Sequence, residues 1–211
     1  MEASFFMPET PVFRYVDDPH GYFYGQDEVE SPSTVFQDLG LVDTKWFKPE
    51  HRARGRAVHA GLHYALKGTL DWAPLDPQLH GYVKSGLKLV ERLQPKVVRY
   101  ETPLYHPGLR FAGTSDLEVE RKGWREIWDW KSGKAPDVAR YQTAAYEMLA
   151  RVHTPMLFKR RAVELQEDGS IANLVKYDDH TDGAGWLNLL GAYRIRQALR
   201  RQKLAHFNIG E

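Results

Sequence analysis

Phe111-Ala-Gly113-Thr-Ser-Asp116-Leu-Glu-Val-Glu-Arg-Lys122-Gly123-Trp-Arg-Glu-Ile127-Trp128-Asp129-Trp130-Lys131 is the stretch that decides how this chain is read. Phe111–Glu120, through Asp116, Leu117 and Val119, reads as a strand. Lys122-Gly123 reads as a tight turn, the glycine supplying a permissive backbone position. Trp124–Trp130 reads as the next strand. Lys96–Leu104, with Val97, Val98, Tyr100 and Thr102, reads as the one before. Residues 96–130 therefore predict a three-stranded meander.

Two acids in that stretch need a reason. Asp116 and Asp129 lie among apolar and aromatic residues, where a carboxylate requires an ion pair, hydrogen bonds or a metal. The turn can carry both toward one point, where their oxygens are hard ligands for Mg²⁺ or Mn²⁺. Asp129 and Lys131 are two apart, so on a strand they share a face. A metal ligand beside an ammonium group suits phosphodiester hydrolysis. The metal activates water and neutralises phosphate, while the lysine positions or deprotonates that water and stabilises developing charge. Metal and burial lower a lysine's pKa and neighbouring aspartates raise it, so its proton-transfer role stays open. Taken alone, Asp-x-Lys is equally the pattern of an edge salt bridge.

Working outward, Ser31-Pro-Ser-Thr34 offers caps for a short helix ending near Gly40. Pro49 opens a long helix to about Lys67, stopped by Gly68, with Val58, Leu62 and Ala65 on its apolar side. A second helix is expected over Pro77–Leu93, with Val83, Leu87 and Val90 inward and Pro95 closing it. After the meander, a helix over Asp137–Arg151 takes Asp137 as its cap. Pro155–Leu165 and Ile171–Tyr177 read as strands across an Asp168-Gly169 turn. Gly183–Leu204 reads as the last helix, with Trp186, Leu189, Leu190, Tyr193 and Ile195 as its apolar content. Residues 1–35 read as an irregular segment with a short strand at Val12–Val16. The order α-α-β-β-β-α-β-β-α predicts an α/β domain spanning 1–211, a mixed central sheet flanked by helices.

Composition bounds the function. The chain has 211 residues, 42% of them hydrophobic, enough for a real core. Net charge is only +1, but the pattern is uneven. Between His51 and Leu70, and again between Gly183 and Gly210, there is no acid while arginines and lysines cluster. These patches could neutralise a phosphate backbone, or they could be solvated helix faces. With no cysteine, disulfides, thiolate zinc sites and cysteine-held iron–sulfur clusters are excluded. No phosphate-binding Gly-x-x-x-x-Gly-Lys-Ser/Thr loop appears, so no ATP site is expected. No run is apolar enough to cross a membrane, and Met1–Thr10 lacks a basic signal-peptide start. A cytoplasmic location is expected, that of the host cell if the gene is carried by a phage.

The motifs together resemble the PD-(D/E)XK nuclease superfamily, in its RecB-like and phage exonuclease branch. The family pattern is a glycine-led Asp, a strand ending Asp/Glu-x-Lys, and a helix carrying Gln-x-x-x-Tyr. The matches are Gly113-Thr-Ser-Asp116, Asp129-Trp-Lys131 and Gln142-Thr-Ala-Ala-Tyr146. The branch adds an upstream Gly-x-x-x-His, matched by Gly55-Arg-Ala-Val-His59. Ser31–Thr34 and Trp46-Phe47 extend the likeness. It implies a restriction-endonuclease-like core, with His59, Asp116, Asp129 and the Trp130 backbone carbonyl as metal ligands and Lys131 as the catalytic lysine. Gln142 and Tyr146 would touch phosphate or orient the lysine, and as residues four apart they share a helix face. A histidine ligand suits Mn²⁺ better than Mg²⁺.

Other residues carry paired readings. His63, with His59, forms His-x-x-x-His, but the zincin glutamate is absent; His63 reads as phosphate-facing or as a packed histidine. Glu101 reads as a second-metal ligand or an exposed strand acid. Arg56 lies one turn from His59 and is the better candidate for the DNA backbone, with Arg54 on another face. The resemblance implies a divalent-metal DNA exonuclease of phage-type recombination, acting alone, as a homo-oligomer or with a recombination partner protein. The alternatives are a structure-specific endonuclease of the same superfamily, a non-catalytic nucleic-acid-binding module on this fold, and a structural protein.

Overall fold

The expected meander forms, with strands slightly longer than the sequence alternation marks. In the computed structural model, which describes residues 11–17, 20–42 and 49–207, β4 (Lys96–His106), β5 (Phe111–Arg121) and β6 (Trp124–Ser132) pair antiparallel. Lys122 and Gly123 turn between the last two with φ of 51° and 74°. Two positive values are what a two-residue hairpin needs to match strand twist. β7 (Phe158–Leu165) then joins β6 in parallel, and β8 (Asn173–Tyr177) returns antiparallel to β7. The order β4-β5-β6-β7-β8 makes a mixed five-stranded sheet. The parallel step requires a crossover, and α4 (Ala139–His153) supplies it.

Helices cover both faces. On one, α2 (Pro49–Leu66) and α3 (His80–Leu93) set Val58, Leu62, Val83 and Leu89 against Leu117, Val119, Trp128 and Trp130. On the other, α1 (Pro32–Asp38), α4 and α5 (Asp182–Phe207) set Phe36, Ala145, Leu149 and Trp186 against Phe111, Ile127 and Phe158. Each large side chain so buried contributes about 1.5–3 kcal/mol. The chain is thus α/β, a mixed sheet between helical layers.

The two layers expose an irregularity in the sheet. Phe111 and Leu117 are six apart on β5, an even spacing that should keep them on one face. They belong to opposite layers, as do Tyr100 and Leu104 on β4. Both strands therefore exchange faces at the same level. The pairs Tyr100–Leu117 and Thr102–Ser115 bracket Glu101 and Asp116. Glu101 has φ 32° there, a left-handed conformation that costs a non-glycine residue energy.

Several expectations change. The described part of 1–35 is more regular than expected. β1 (Phe13–Val16), β2 (Gly21–Tyr24) and β3 (Asp27–Glu28) form a second, antiparallel sheet. Asp137 does not cap α4. The helix starts after Val138, whose carbonyl accepts from both Tyr141 and Gln142 N–H, and Asp137 is left exposed. Residues 77–79 form a 3₁₀ turn before α3 rather than its first turn. Ile195 is exposed, while Trp186 and Leu190 in the first half of α5 are buried. Ser31 caps α1 as expected, accepting from the Thr34 N–H. Trp46-Phe47 lies outside the described residues. No helix among the described residues is long and apolar enough to cross a membrane.

Candidate active site

The face exchange delivers Asp116 and Glu101 to the α2 side of the sheet, where two histidines meet them. His59 and His63 are four apart and so share one side of α2. His59 Nδ1 hydrogen-bonds Asp116 Oδ1 at 3.0 Å. His63 Nδ1 lies 3.0 Å from Glu101 Oε2, at ion-pair distance but without hydrogen-bond alignment. The pairing of β5 with β6 runs from Arg121–Trp124 to Leu117–Trp128 and no further. Where the next pair would fall, Asp116 Oδ2 accepts the Trp130 N–H at 2.6 Å. A side-chain oxygen thus takes the place of a ladder carbonyl, and it ties the two motifs together.

Asp129 and Lys131 stand on the α4 side, with Lys131 Nζ 2.6 Å from Asp129 Oδ2. Lys131 also donates to Gln142 Oε1 at 2.9 Å, and Gln142 Nε2 donates to the Tyr146 hydroxyl at 2.9 Å. The lysine is therefore held from two directions by a relay whose far end is buried in the α4 layer. Gly113 makes room for that end. A Cβ on it would sit 3.0 Å from the Tyr146 ring, so the motif glycine lets Tyr146 pack without a shift.

Electrostatics separate these acids. Burial raises the Asp116 pKa, but the adjoining His59, Lys131 and the Trp130 N–H outweigh it and hold the group low. Burial lowers His59, yet Asp116 beside it outweighs that and raises it. For Asp129 burial wins over the Lys131 ammonium, the Asp116 charge adds to it, and the pKa rises. Glu101 is pushed up to about 7, first by burial and then by Asp116. Burial, then Asp129 and Asp116, keeps the Tyr146 phenol well above its usual value. The cluster holds more carboxylates than it can ionise comfortably without an added cation.

The donor set fits a divalent metal. His59, Glu101 and Asp116 each offer one atom, all within 4.8 Å of one another. Asp129 is outside that compact group, and its buried Oδ2 has no well-aligned hydrogen-bond donor despite the close lysine. Glu101 is thus nearer the centre than its sequence reading as an optional ligand, and the strand alternation alone could not have revealed this.

The remaining candidates divide. Arg56 is exposed, with no ion pair among the described residues. Arg54 lies over the Tyr82 ring of α3, 5.8 Å from its centroid, and takes part in helix packing. His63 meets Tyr64 and Tyr100 edge-on at 5.6 and 5.9 Å. In the C-terminal basic patch, Arg194 is 3.2 Å from Glu30, and Arg196 and Arg200 both pair with Asp38. Much of that patch holds α5 to the rest of the fold.

No family model matches the chain, and no curated protein does. Among solved structures it is similar to an exonuclease candidate from Eubacterium rectale. Identity is 10% over 68% of this chain and 65% of that one, with a TM-score of 0.50. The chain therefore spans just under two thirds of that structure, and at this identity the likeness is one of fold. It is also similar to LHK-Exo, solved in complex with dAMP, at 12% identity over 86% of this chain and 93% of that one, with a TM-score of 0.35.

Proposed function

We propose that the chain is a divalent-metal-dependent nuclease that hydrolyses DNA phosphodiesters from a strand end. One observation carries this reading. The cluster of His59, Glu101 and Asp116 is hydrogen-bonded through the Trp130 N–H to the strand that bears Asp129 and Lys131. His59, Glu101, Asp116 and Asp129, with the Trp130 carbonyl, would hold Mg²⁺ or Mn²⁺. When bound, such an ion supplies an activated water and neutralises the scissile phosphate.

The chain's own groups do the rest. Lys131, steadied by Asp129 and Gln142, presents its ammonium to a phosphate oxygen as negative charge develops. Tyr146 keeps Gln142 turned toward the lysine, so the ammonium does not have to be ordered during reaction. Arg56, one turn before His59, neutralises a backbone phosphate without reading a base. A second copy of the chain, or a recombination partner, would act on DNA delivery rather than on this chemistry.

The test is digestion of end-labelled linear DNA by the purified protein with Mg²⁺ or Mn²⁺. Cleavage should vanish with EDTA and in Asp129→Ala and Lys131→Ala. Metal-dependent cleavage unchanged in both variants would overturn the reading. Covalently closed circular DNA should survive; if it is cut, the reading moves to an endonuclease on the same site.

A further inference from the structure

The N-terminal sheet turns a row of aromatic rings toward the strand that carries Asp116. Tyr15 is paired with Tyr22 across β1 and β2, their ring centroids 5.4 Å apart. His20 meets both rings edge-on at 5.4 Å. Phe13 and Tyr24 stack on Tyr105 of β4 at 5.5 and 4.9 Å. The row is fastened at one polar point, where the Tyr22 hydroxyl and Thr114 Oγ1 are 2.9 Å apart. Thr114 is two residues before Asp116 on β5.

Burial along the row is uneven. Tyr22 is 4% exposed, while Tyr15 is 38% exposed. The Tyr15 hydroxyl donates to Asp17 Oδ1 at 2.9 Å and lies 3.3 Å from His20 Nδ1. A ring already fixed by its neighbours loses little freedom when something stacks on it. We propose that Tyr15, braced by His20 and Tyr22, is a stacking platform for an unpaired nucleobase of the DNA strand engaged at the candidate metal site.

Two features favour a base over other occupants. Asp17 beside the ring repels a phosphate, so what the platform meets is a base face and not the backbone. The link through Tyr22 and Thr114 makes the platform continuous with the strand that carries Asp116. Stacking on a tyrosine tolerates any base, since each has a π-face. The inference takes its strand from the nuclease reading, but it is a statement about binding and can be tested without cleavage.

The experiment is anisotropy titration of a labelled single-stranded oligonucleotide with the full chain in EDTA at low salt. Tyr15→Ala should weaken binding about tenfold, in the range found for loss of one stacked base. Tyr15→Phe, which keeps the ring, should stay within about twofold of wild type. Tyr15→Trp should bind as tightly or tighter, which keeps the test decisive if the alanine variant fails to fold. Wild-type affinity in Tyr15→Ala, or equal losses in Tyr15→Phe and Tyr15→Ala, would overturn the platform, as would weaker binding by Tyr15→Trp. A wild-type protein that binds no single strand overturns it too. One that binds with this pattern yet cuts nothing in any metal leaves the platform standing and defeats only the nuclease reading.

Discussion

The β5–β6 hairpin buries acids at both of its ends and treats them in opposite ways. Near the turn, Glu118 is 2% exposed and lies 3.0 Å from Arg99 Nε and 2.8 Å from Arg125. Glu126, 1% exposed, takes Arg121 at 3.0 Å and the Trp128 indole N–H at 2.9 Å. At the open end Asp116 and Asp129 share one imidazole, one backbone N–H and one ammonium, with Glu101 adding a third carboxylate. Asp129 is buried as deeply as the two glutamates, and Asp116 and Glu101 only in part, but the larger difference is in the supply of partners. A carboxylate gripped by two guanidinium groups has no oxygen to spare and serves the fold. A cluster short of cations has room for one more, which the proposed metal would supply.

The largest expected contrast is between activity and stability. Asp129→Ala and Lys131→Ala should lower DNA cleavage at least about a thousandfold, some 4 kcal/mol of barrier. Asp129→Asn should lose cleavage too while its melting temperature holds or rises, because a poorly paired buried charge is gone. Glu118→Ala should do the reverse. It takes the buried partner from Arg99 and Arg125, which keep only Thr154 and Glu120, and should cost somewhat less than the about 3–5 kcal/mol of a fully buried broken pair, seen in urea melts. The Glu118 variant that remains folded should cut DNA at the wild-type rate. If Asp129→Asn melts far below wild type, the two ends are alike and the comparison fails.

A smaller effect sharpens the same contrast. Mn²⁺ should raise the melting temperature of the wild-type protein, by the equivalent of about 2.7 kcal/mol at a hundredfold excess over its dissociation constant. Asp116→Asn should lose most of that gain and Glu118→Gln none of it. Stabilisation of both variants alike would place the ion elsewhere on the molecule.

The sheet and its helices were legible because their signals are local. Alternation marked β5 and β6, Lys122-Gly123 marked the turn, and Pro49 and Gly68 bounded α2. The N-terminal sheet was less legible, since β3 is only two exposed acidic residues, Asp27 and Glu28. The motif residues were recognisable, but their arrangement was not. Alternation assumes a strand that keeps its faces, and the exchange at Glu101 depends on a left-handed backbone at a residue with no local signal for it. Glu101 therefore moves from an optional place to the centre of the compact group, while Asp129 moves outside it. Arg54 shows the same limit. Helical spacing gave its direction on α2 but not the Tyr82 ring waiting on α3.

His106 gives the smallest test, at the far end of β4, where a half-buried ring accepts a hydrogen bond in its neutral form. Its Nδ1 accepts the Leu109 N–H at 3.1 Å, and its ring stacks on Phe111 at 5.6 Å. A protonated ring would lose that acceptor, and burial holds the His106 pKa below the ordinary 6.5. A histidine whose folded pKa is depressed contributes stability that is complete above 6.5 and lost as pH falls through the folded value. The His106 share of stability, read in urea melts, should therefore decline from pH 7.5 to 5, against the gain that Glu101, Asp129 and His59, all raised, make as pH falls. His106→Asn, which keeps a short acceptor near Leu109, should flatten part of that decline. The carboxylate clusters titrate equally in both proteins, so the difference in slope belongs to His106. Identical slopes would mean that this end of the sheet tolerates a charge, and that the intolerance to unpaired charge is confined to the β5–β6 hairpin.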